Sequence, residues 1–349
     1  MILSGVVTDS HVGAELLDLG QLRERLSGAA AAEQLSPMFG CDCIVLDLRS
    51  AHMDEWATVA LPFGGPNCAV LARVHADVAE HHLDGLPDWL DVACGSDADL
   101  DATVAAVLAS PVAALALVQL LRHNERASVT DGLFAESLAY STLQSGAVFA
   151  GWLARRRATD RRPASVADGL PLVLMACDRE RWLLTLNRPH ARNAYSAGLR
   201  DALVEALQCT AEAREPFSIV VRGAGPSFSA GGDLNEFGEA RDAAVAHAIR
   251  STRSAAQLMH RLRERITCEV HGACIGAGIE LPAFAHRVVA APDSFFRLPE
   301  VAMGLIPGAG GTVSMLRRIG RLRLAEMALT GMRVDAPTAL AWGLIDAIS

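Results

Sequence analysis

Two glutamates, Glu280 and Glu300, have the residue type and surroundings needed for acid–base chemistry. Glu280 follows a run of small residues, Gly272 to Gly278, which comes directly after an apolar segment. A strand that runs into such a turn leaves backbone N–H groups facing one spot, where they can stabilise an oxyanion. Glu300 lies between apolar neighbours, where burial and a second carboxylate would raise its pKa. Two carboxyl groups in different environments are typical of a general acid paired with a general base.

Both glutamates also have simpler interpretations. A helix is predicted to start near Gly278, and the helix dipole favours a carboxylate in a first turn without any catalytic role. Glu300 could pair with Arg297 or cap a turn. A second run of small residues, Phe228 to Leu234, lets a ligand approach the backbone because no side chain blocks the N–H groups. Glycine-rich turns are often only turns, so this loop does not decide the function alone.

The elements that must position these residues follow an α/β pattern. Short apolar runs in the second half predict strands at 182–186 and 217–222 and from Ile266 onwards, with a helix over 196–213 that has Ser196 as its N-cap. In the first half, three short apolar runs bounded by Gly, Pro and Asp predict buried strands at 43–48, 68–74 and 89–94. No residue in that first part stands out as catalytic.

The uncharged segment from Ala102 to Leu121 has the length of a membrane-spanning helix. It is rich in Ala and is interrupted by Ser110-Pro111, which predicts two short helices with Ser110 as N-cap and Pro111 as first residue of the second. Apolar residues then recur at helical spacing as far as Leu153. The polar segment after Arg157 predicts an interdomain linker.

Composition excludes several classes of function. The chain has 349 residues, of which 51% are hydrophobic and 20% are charged, as expected for a soluble globular protein with a sizeable core. Its net charge is −9 and no basic patch is evident, which argues against nucleic acid as a partner. The 8 cysteines are scattered without a second Cys/His pair, so we expect reduced thiols and no metal site. The amino terminus lacks a signal-peptide pattern, so a cytoplasmic location is expected.

Four segments resemble the signature blocks of the crotonase family, also called the enoyl-CoA hydratase/isomerase family. They are LTLNRPHARNAYS, FSAGGDLNEF, HGACIGAGIELPAFAHRVVA and FRLPEVAMGLIPGAGGT, in family order and with family-like spacing. The resemblance covers about residues 180 to 349. It implies an α/β fold of the crotonase (ClpP/crotonase-like) type, a ββα superhelix, with an additional N-terminal α/β and helical region.

The resemblance implies a role for each matching position. The backbone N–H groups of Gly232 and Ala277 would form an oxyanion hole for a thioester carbonyl. Glu280 and Glu300 would be the two catalytic carboxylates. The positions that would line the coenzyme A groove are His190, Arg192, Ala194, Ala230, Asp233 and Leu234, and those that would flank the acyl pocket are Pro299 and Gly308. Many members of the family have Lys at the position of His190 and Gly at the position of Ala277. Neither difference removes the role that the resemblance implies for that position.

The activity implied is hydration of a 2-enoyl-CoA thioester by an enoyl-CoA hydratase, a hydro-lyase that serves fatty acid metabolism. An isomerase needs only one base, at the position of Glu300, so Glu280 favours the hydratase. The alternatives are double-bond isomerisation, another crotonase reaction such as thioester hydrolysis, and a non-catalytic acyl-CoA-binding protein. No cofactor is expected beyond the coenzyme A of the substrate, and the resemblance implies a homo-oligomer, a trimer or hexamer.

The domain organisation predicted has four parts. They are a degenerate α/β region at 1–100, a helical region at 101–158, a linker at 159–175 and the catalytic core at 176–349. Crotonases continue past the position of Ser349 through helices that close the acyl pocket and build the trimer. Because residues 101–158 resemble those helices, we expect a permuted or duplicated crotonase. An unrelated N-terminal domain is the alternative.

Overall fold

The computed structural model describes residues 13–50, 66–159, 169–178, 180–213, 218–240 and 242–349. The chain divides into two compact units. The first unit runs to Arg122 and also includes Arg321–Thr330. The second unit consists of His123–Gly320 and Gly331–Ser349. Helices and strands are numbered below in chain order.

The first unit contains a parallel four-stranded sheet in the order β1-β2-β3-β4. Its strands are β1 (Ala14–Leu17), β2 (Cys43–Asp47), β3 (Ala69–Arg73) and β4 (Val92–Cys94). Its helices are α1 (Leu19–Ser27), α2 (Ala31–Gln34), α3 (Ala76–His81), α4 (Asp97–Ala109) and α5 (Pro111–Asn124). The three strands predicted in this part of the chain are confirmed, each within a few residues of its predicted limits.

The core of the first unit lies on the apolar strands, which are buried on both faces as parallel strands usually are. Ile44, Val70 and Trp89 are among its members. Within it, the carboxylate of Asp91 accepts hydrogen bonds from the guanidinium groups of Arg122 and Arg321 and from the backbone N–H of Val70. Pairing of this kind compensates the cost of burying a charge.

The predicted break at Ser110-Pro111 is confirmed. Helix α4 ends at Ala109 and α5 begins at Pro111, whose missing N–H costs nothing in a first helical turn. In the described part of the chain, no single helix is long and apolar enough to cross a membrane. The pair α4 and α5 meets the length and composition criteria only when the two are taken together, and they are bent by 109°.

The second unit is a mixed α/β structure, so the α/β class predicted from the sequence is confirmed. Its strands are β5 (Val173–Asp178), β6 (Arg181–Leu186), β7 (Ser218–Gly223), β8 (Ile266–Val270), β9 (Ala273–Ile275), β10 (Arg287–Ala290), β11 (Phe295–Arg297), β12 (Val334–Asp335) and β13 (Ala347–Ile348). Its helices are α6 (Val129–Gln144), α7 (Ala147–Thr159), α8 (Ala197–Glu212), α9 (Ala243–Thr252), α10 (Ala255–Arg261), α11 (Ala277–Glu280), α12 (Gly311–Thr330) and α13 (Ala336–Trp342). Helix α12 is interrupted at Gly320, and the part after this residue belongs to the first unit.

Two sheets organise the second unit. The larger has the order β13-β10-β8-β7-β6-β5, in which β5 and β6 are antiparallel and the other neighbours are parallel. The smaller has the order β12-β11-β9, with β9 and β11 parallel. The predicted N-cap of α8 is confirmed, since the Ser196 hydroxyl accepts a hydrogen bond from the Leu199 N–H at 3.1 Å.

The unit boundaries differ from the predicted domain limits. The division between the units follows Arg122, which lies inside the helical region expected at 101–158. Of the linker expected at 159–175, residues 160–168 lie outside the described residues, and Val173–Asp178 form β5. The strand residues Val173–Cys177 are apolar, yet β5 is an edge strand whose residues after Val173 are exposed.

A buried asparagine joins the loops that follow β6 and β7. The side-chain N–H groups of Asn193 donate to the backbone carbonyls of Ala224, Ser227 and Phe228 at 2.8, 3.0 and 3.1 Å. Its side-chain oxygen accepts from the Arg188 N–H at 2.8 Å. Asn193 has a φ of 51°, a left-handed conformation that Asn tolerates better than most residues. One side chain therefore satisfies the polar groups of two loops.

Asn193→Ala should lower the free energy of unfolding by about 3 kcal/mol, because it leaves several buried backbone groups without partners. The measurement is chemical denaturation followed by circular dichroism. The control is Asn187→Ala, which removes a single hydrogen bond, to the Pro171 carbonyl. That bond is exposed to solvent, so its loss should cost under about 1 kcal/mol. Equal costs for the two variants would contradict the role assigned to Asn193.

Candidate active site

The pairing of β9 with β11 brings Glu280 and Glu300 together. Because these strands are parallel neighbours, the residues that follow them meet at one edge of the sheet. The Gly276 N–H donates to the Arg297 carbonyl at 2.9 Å and extends the pairing by one residue. Both carboxyl groups lie beside Gly276: a Cβ at this position would meet Glu300 Oε1 at 2.5 Å and Glu280 Oε1 at 3.6 Å. Gly276 therefore leaves the space that both acids occupy.

Glu280 does not cap the helix on which it lies. The helix predicted to start near Gly278 is confirmed as α11, but it has only four residues, and Pro282 begins a 3-10 turn after it. The Glu280 Oε2 atom instead accepts hydrogen bonds from the N–H groups of Ala309 and Gly311 at 2.7 and 2.9 Å, where α12 begins. Burial raises the pKa of Glu280 to about 7, and the two amide donors oppose this rise.

Glu300 is in a different environment. Its Oε2 atom is buried and has no hydrogen-bond partner among the described residues. Arg297, a candidate ion-pair partner, instead donates through Nε to the Gly331 carbonyl at 2.6 Å. Burial, and next the charge of Glu280, raise the pKa of Glu300 well above its usual range. The two acids therefore lie in different environments: two amide donors oppose the rise in the pKa of Glu280, whereas Glu300 Oε2 has no partner among the described residues.

The segments that carry Gly232 and Ala277 run side by side. The Ile275 N–H donates to the Ser229 carbonyl at 3.1 Å, and a Cβ at Gly231 would lie 2.9 Å from the Ile275 carbonyl oxygen. The absence of a side chain at Gly231 therefore serves the close packing of two backbone segments, while the approach of a ligand to this loop stays a prediction. Among residues 218–240 and 242–349, neither the Gly232 N–H nor the Ala277 N–H donates to a backbone carbonyl outside regular helices and strands.

The six residues predicted for the coenzyme A groove lie on two adjoining loops. The Ala230 N–H donates to the Arg192 carbonyl at 2.9 Å, and the Asp233 N–H donates to the Tyr195 carbonyl at 3.1 Å. These bonds join the loop that follows β6, which carries His190, Arg192 and Ala194, to the loop that follows β7, which carries Ala230, Asp233 and Leu234. His190 and Arg192 are exposed.

Asp233 differs from the other groove residues because it is buried in an ion pair. Its carboxylate contacts Arg188 Nη1 at 2.5 Å and also accepts from the Asn235 N–H at 3.0 Å. Arg188 in turn donates to the Ala194 carbonyl at 3.1 Å. The Asp233 side chain thus joins the two loops through its ion pair with Arg188. Nothing in the sequence indicated that Asp233 would form a buried ion pair with Arg188.

The two residues predicted to flank the acyl pocket lie near Glu300 and α6. Pro299 directly precedes Glu300 and is half-buried. Gly308 packs against the ring of Tyr140, a residue of α6, and a Cβ at Gly308 would clash with that ring. The guanidinium of Arg250 lies over the same ring, 4.2 Å from its centroid. Tyr140 therefore contributes to this region from a helix upstream of the catalytic segments.

A third carboxyl group, that of Glu136 on α6, completes the cluster, and sequence analysis did not identify it. Glu136 Oε1 accepts from the Gly310 N–H at 2.7 Å, and Oε2 accepts from the N–H and hydroxyl of Thr312 at 3.0 and 2.6 Å. The one available signal was position: Glu136 lies three residues after Leu133 and four before Tyr140, on the face of α6 that is turned inwards.

Comparison with known proteins places the catalytic segments in a family. The family model Enoyl-CoA hydratase/isomerase matches residues 182–349. The 2,3-dehydroadipyl-CoA hydratase of Escherichia coli (strain K12) is 39% identical over 166 residues, which are 47% of this chain and 63% of that protein. The mitochondrial enoyl-CoA hydratase of Pongo abelii is 33% identical over 171 residues, which are 48% of this chain and 57% of that protein.

Among solved structures, an enoyl-CoA hydratase from Thermoplasma volcanium GSS1 matches with a TM-score of 0.48 at 30% identity, over 53% of this chain and 74% of that chain. The chain spans less than two thirds of the length of the two curated relatives. The family match nevertheless contains all four segments on which the predicted resemblance depended, and it confirms that resemblance. Residues 182–349 of this chain belong to the enoyl-CoA hydratase/isomerase family, the crotonases.

Proposed function

We propose that this chain is an enoyl-CoA hydratase that adds water to the double bond of a 2-enoyl-CoA thioester. The observation that carries the proposal is the unequal pairing of two adjacent acids. Glu280 accepts two amide hydrogen bonds, whereas Glu300 Oε2 has no partner among the described residues. Hydration needs one carboxylate and one neutral carboxyl group at the same site, and this difference supplies them.

The proposed reaction assigns one task to each group. The Gly232 and Ala277 N–H groups hydrogen-bond the thioester oxygen, where negative charge develops as an enolate; each is worth roughly 3 to 4 kcal/mol by analogy with measured oxyanion donors. Glu280 takes a proton from a water molecule while the oxygen of that water adds to C3. Glu300 gives its own proton to C2. One proton must then return from Glu280 to Glu300 before the next turnover. The balance is one water added and no cofactor consumed.

Other functions of the family remain as alternatives. A double-bond isomerase would use Glu300 as its one base, and a thioester hydrolase would direct water to the carbonyl carbon. A non-catalytic acyl-CoA-binding protein would use the groove and the amides without the acids. The Glu280 carboxylate, held by two donors and placed beside Glu300, favours hydration over these alternatives.

Glu280→Gln and Glu300→Gln should each lower kcat for hydration of crotonyl-CoA by at least about 100-fold, because each removes one proton-transfer step. Turnover is followed by loss of the enoyl absorbance. Glu269→Gln is the matched control, since Glu269 is exposed on β8 and its loss should leave the rate unchanged.

Full activity of either site variant would rule out the hydratase assignment. Binding of crotonyl-CoA without turnover of any enoyl or acyl thioester would instead support the non-catalytic alternative. Movement of a 3,4 double bond to the 2,3 position that survives Glu280→Gln but not Glu300→Gln would identify an isomerase.

The pH dependence of kcat/KM should be bell-shaped, with activity lost on both sides of a maximum. Activity needs Glu280 ionised, so it should fall as the pH drops through the pKa of Glu280, about 7. It also needs Glu300 protonated, so it should fall as the pH rises through the raised pKa of that residue. A rate that stays constant between about pH 5.5 and pH 9 would contradict this division of roles.

We also propose that α6 and α7 act as the helices that close the acyl pocket in other crotonases. Three contacts support this. Gly308 packs against Tyr140 of α6, and Gly304 and Gly238 pack against Val148 and Leu153 of α7, so closely that a Cβ at any of the three glycines would clash. The permuted or duplicated arrangement remains a prediction, as does the degenerate α/β character of residues 1–100.

Self-association, as a trimer or hexamer, is part of the proposal. It is supported by apolar side chains exposed on α6 and α9, two helices joined by a Ser137 to His247 hydrogen bond of 2.9 Å. Phe134 and Val245 are 56% and 52% exposed, and Leu138 and Ile249 are exposed beside them. An apolar group of this kind on a helix pair is typical of an interface.

The double substitution Phe134→Glu and Val245→Glu should reduce the mass in solution to that of a single chain, because it places charges in the proposed interface. Multi-angle light scattering after size-exclusion chromatography measures this. Gln208→Glu, an exposed change on α8, is the control and should leave the mass unchanged. A wild-type mass equal to one chain would overturn the proposed self-association.

A further inference from the structure

Glu136 lies on α6, upstream of the segment that matches the family. Its carboxylate nevertheless accepts a hydrogen bond from the loop at the start of α12, whose amides also bind the Glu280 carboxylate. We propose that Glu136 is a positioning residue, which fixes this loop and supplies the negative charge that keeps the catalytic proton on Glu300. The inference rests on the proposed hydratase activity. It adds to the two-acid site a third acid that acts through the other two and does not touch the substrate.

The hydrogen bonds at the start of α12 alternate between two carboxylates. The N–H groups of Ala309 and Gly311 donate to Glu280, while those of Gly310 and Thr312 donate to Glu136. All four donors belong to consecutive residues, 309–312, at the junction of a loop and the first turn of α12. A change in the hydrogen bonds to Glu136 therefore also shifts the amides that donate to Glu280. If Glu136 releases Gly310 and Thr312, the amides that orient the Glu280 carboxylate lose their support.

The polar groups around Glu136 are arranged to donate to it. Asn124 Nδ2 donates to the hydroxyl oxygen of Thr312 at 3.0 Å, which leaves the hydroxyl hydrogen directed at Glu136 Oε2, 2.6 Å away. The two backbone N–H groups can only donate. Three donors thus face the Glu136 carboxyl group, an arrangement that fits the carboxylate better than the protonated acid.

The charges near Glu136 determine when it is ionised. The titratable and charged groups around it are Glu280, Glu300, Tyr140 and Arg250. Burial, and next the charge of Glu280, raise the pKa of Glu136 to about 8, against the three donors. Its negative charge is therefore present on the alkaline side of the activity profile. There it raises the pKa of Glu300, so that Glu300 keeps its proton to a higher pH.

Two substitutions separate the charge of Glu136 from its position. Glu136→Gln keeps the shape but removes the charge and turns an NH2 group towards a donor. It should lower kcat on the order of 10- to 100-fold with little change in KM, and should move the alkaline limb of the pH profile to lower pH. Glu136→Asp keeps the charge but shortens the side chain, so it should lower kcat while the alkaline limb stays in place.

The matched control is Ser137→Ala, a change at the next residue of α6 that removes the hydrogen bond to His247 and should alter neither kcat nor the pH profile. Thr312→Val is a milder test in case Glu136→Gln does not fold, which circular dichroism would reveal. It removes only the hydroxyl donor, so Glu136 ionises at higher pH, and the alkaline limb should again move to lower pH, by less.

An unmoved alkaline limb in both Glu136→Gln and Thr312→Val would overturn the proposal, as would unchanged kcat in Glu136→Gln. If the wild type turns over no enoyl thioester, it is the proposed function that fails. The inference is then tested without turnover, by titrating the side-chain carboxyl carbons of protein carrying 13C-labelled glutamate. A lower pKa of Glu300 in Glu136→Gln than in the wild type supports the inference, and an equal pKa contradicts it.

Discussion

The parallel pairing of β9 with β11 is the constraint on which the catalytic arrangement depends. Each strand has only three residues, and a ladder so short is marginal alone. Its register is held by burial, since Cys274 and Phe296 lie opposite each other and are both fully buried. A shift by one residue would turn Phe296 outwards. The same register sets Gly276 beside Arg297 and hence Glu280 beside Glu300, so packing of an apolar pair fixes the distance between two acids.

The start of α12 shows how two unfavourable features can cancel. A helix start that is buried leaves backbone N–H groups without partners, and a buried carboxylate leaves oxygens without donors. Here the N–H groups of residues 309–312 donate hydrogen bonds to the carboxylates of Glu280 and Glu136. The amides gain acceptors and the carboxylates gain donors. Gly311 is required for this approach, because a Cβ there would lie 2.6 Å from Glu280 Cγ. The small residues in this segment thus serve a carboxylate, in addition to any ligand.

Local patterns in the sequence predicted the parts of the site that depend on near neighbours. The Ser196 cap and the break at Ser110-Pro111 both follow from residues a few positions apart. Glu136 could not be found in this way, because its partners Gly310 and Thr312 lie 174 and 176 residues further along the chain. Similarly, no local signal indicated that the helix after Gly320 would join the first unit, or that Asp233 would be buried against Arg188.

The distribution of donors explains why the acids of one small region differ. Three buried carboxyl groups that influence one another do not ionise independently, because each charge raises the cost of the next. The protons therefore remain where charge is stabilised least. Glu280 and Glu136 share the four amides of one loop, whereas Glu300 Oε2 has no donor among the described residues. In the proposed mechanism, the amides of residues 309–312 thus favour Glu300 as the acid that keeps its proton, although they make no hydrogen bond with Glu300 in the described structure. The proposed proton donor and acceptor are distinguished by the backbone around them, since their side chains are chemically identical.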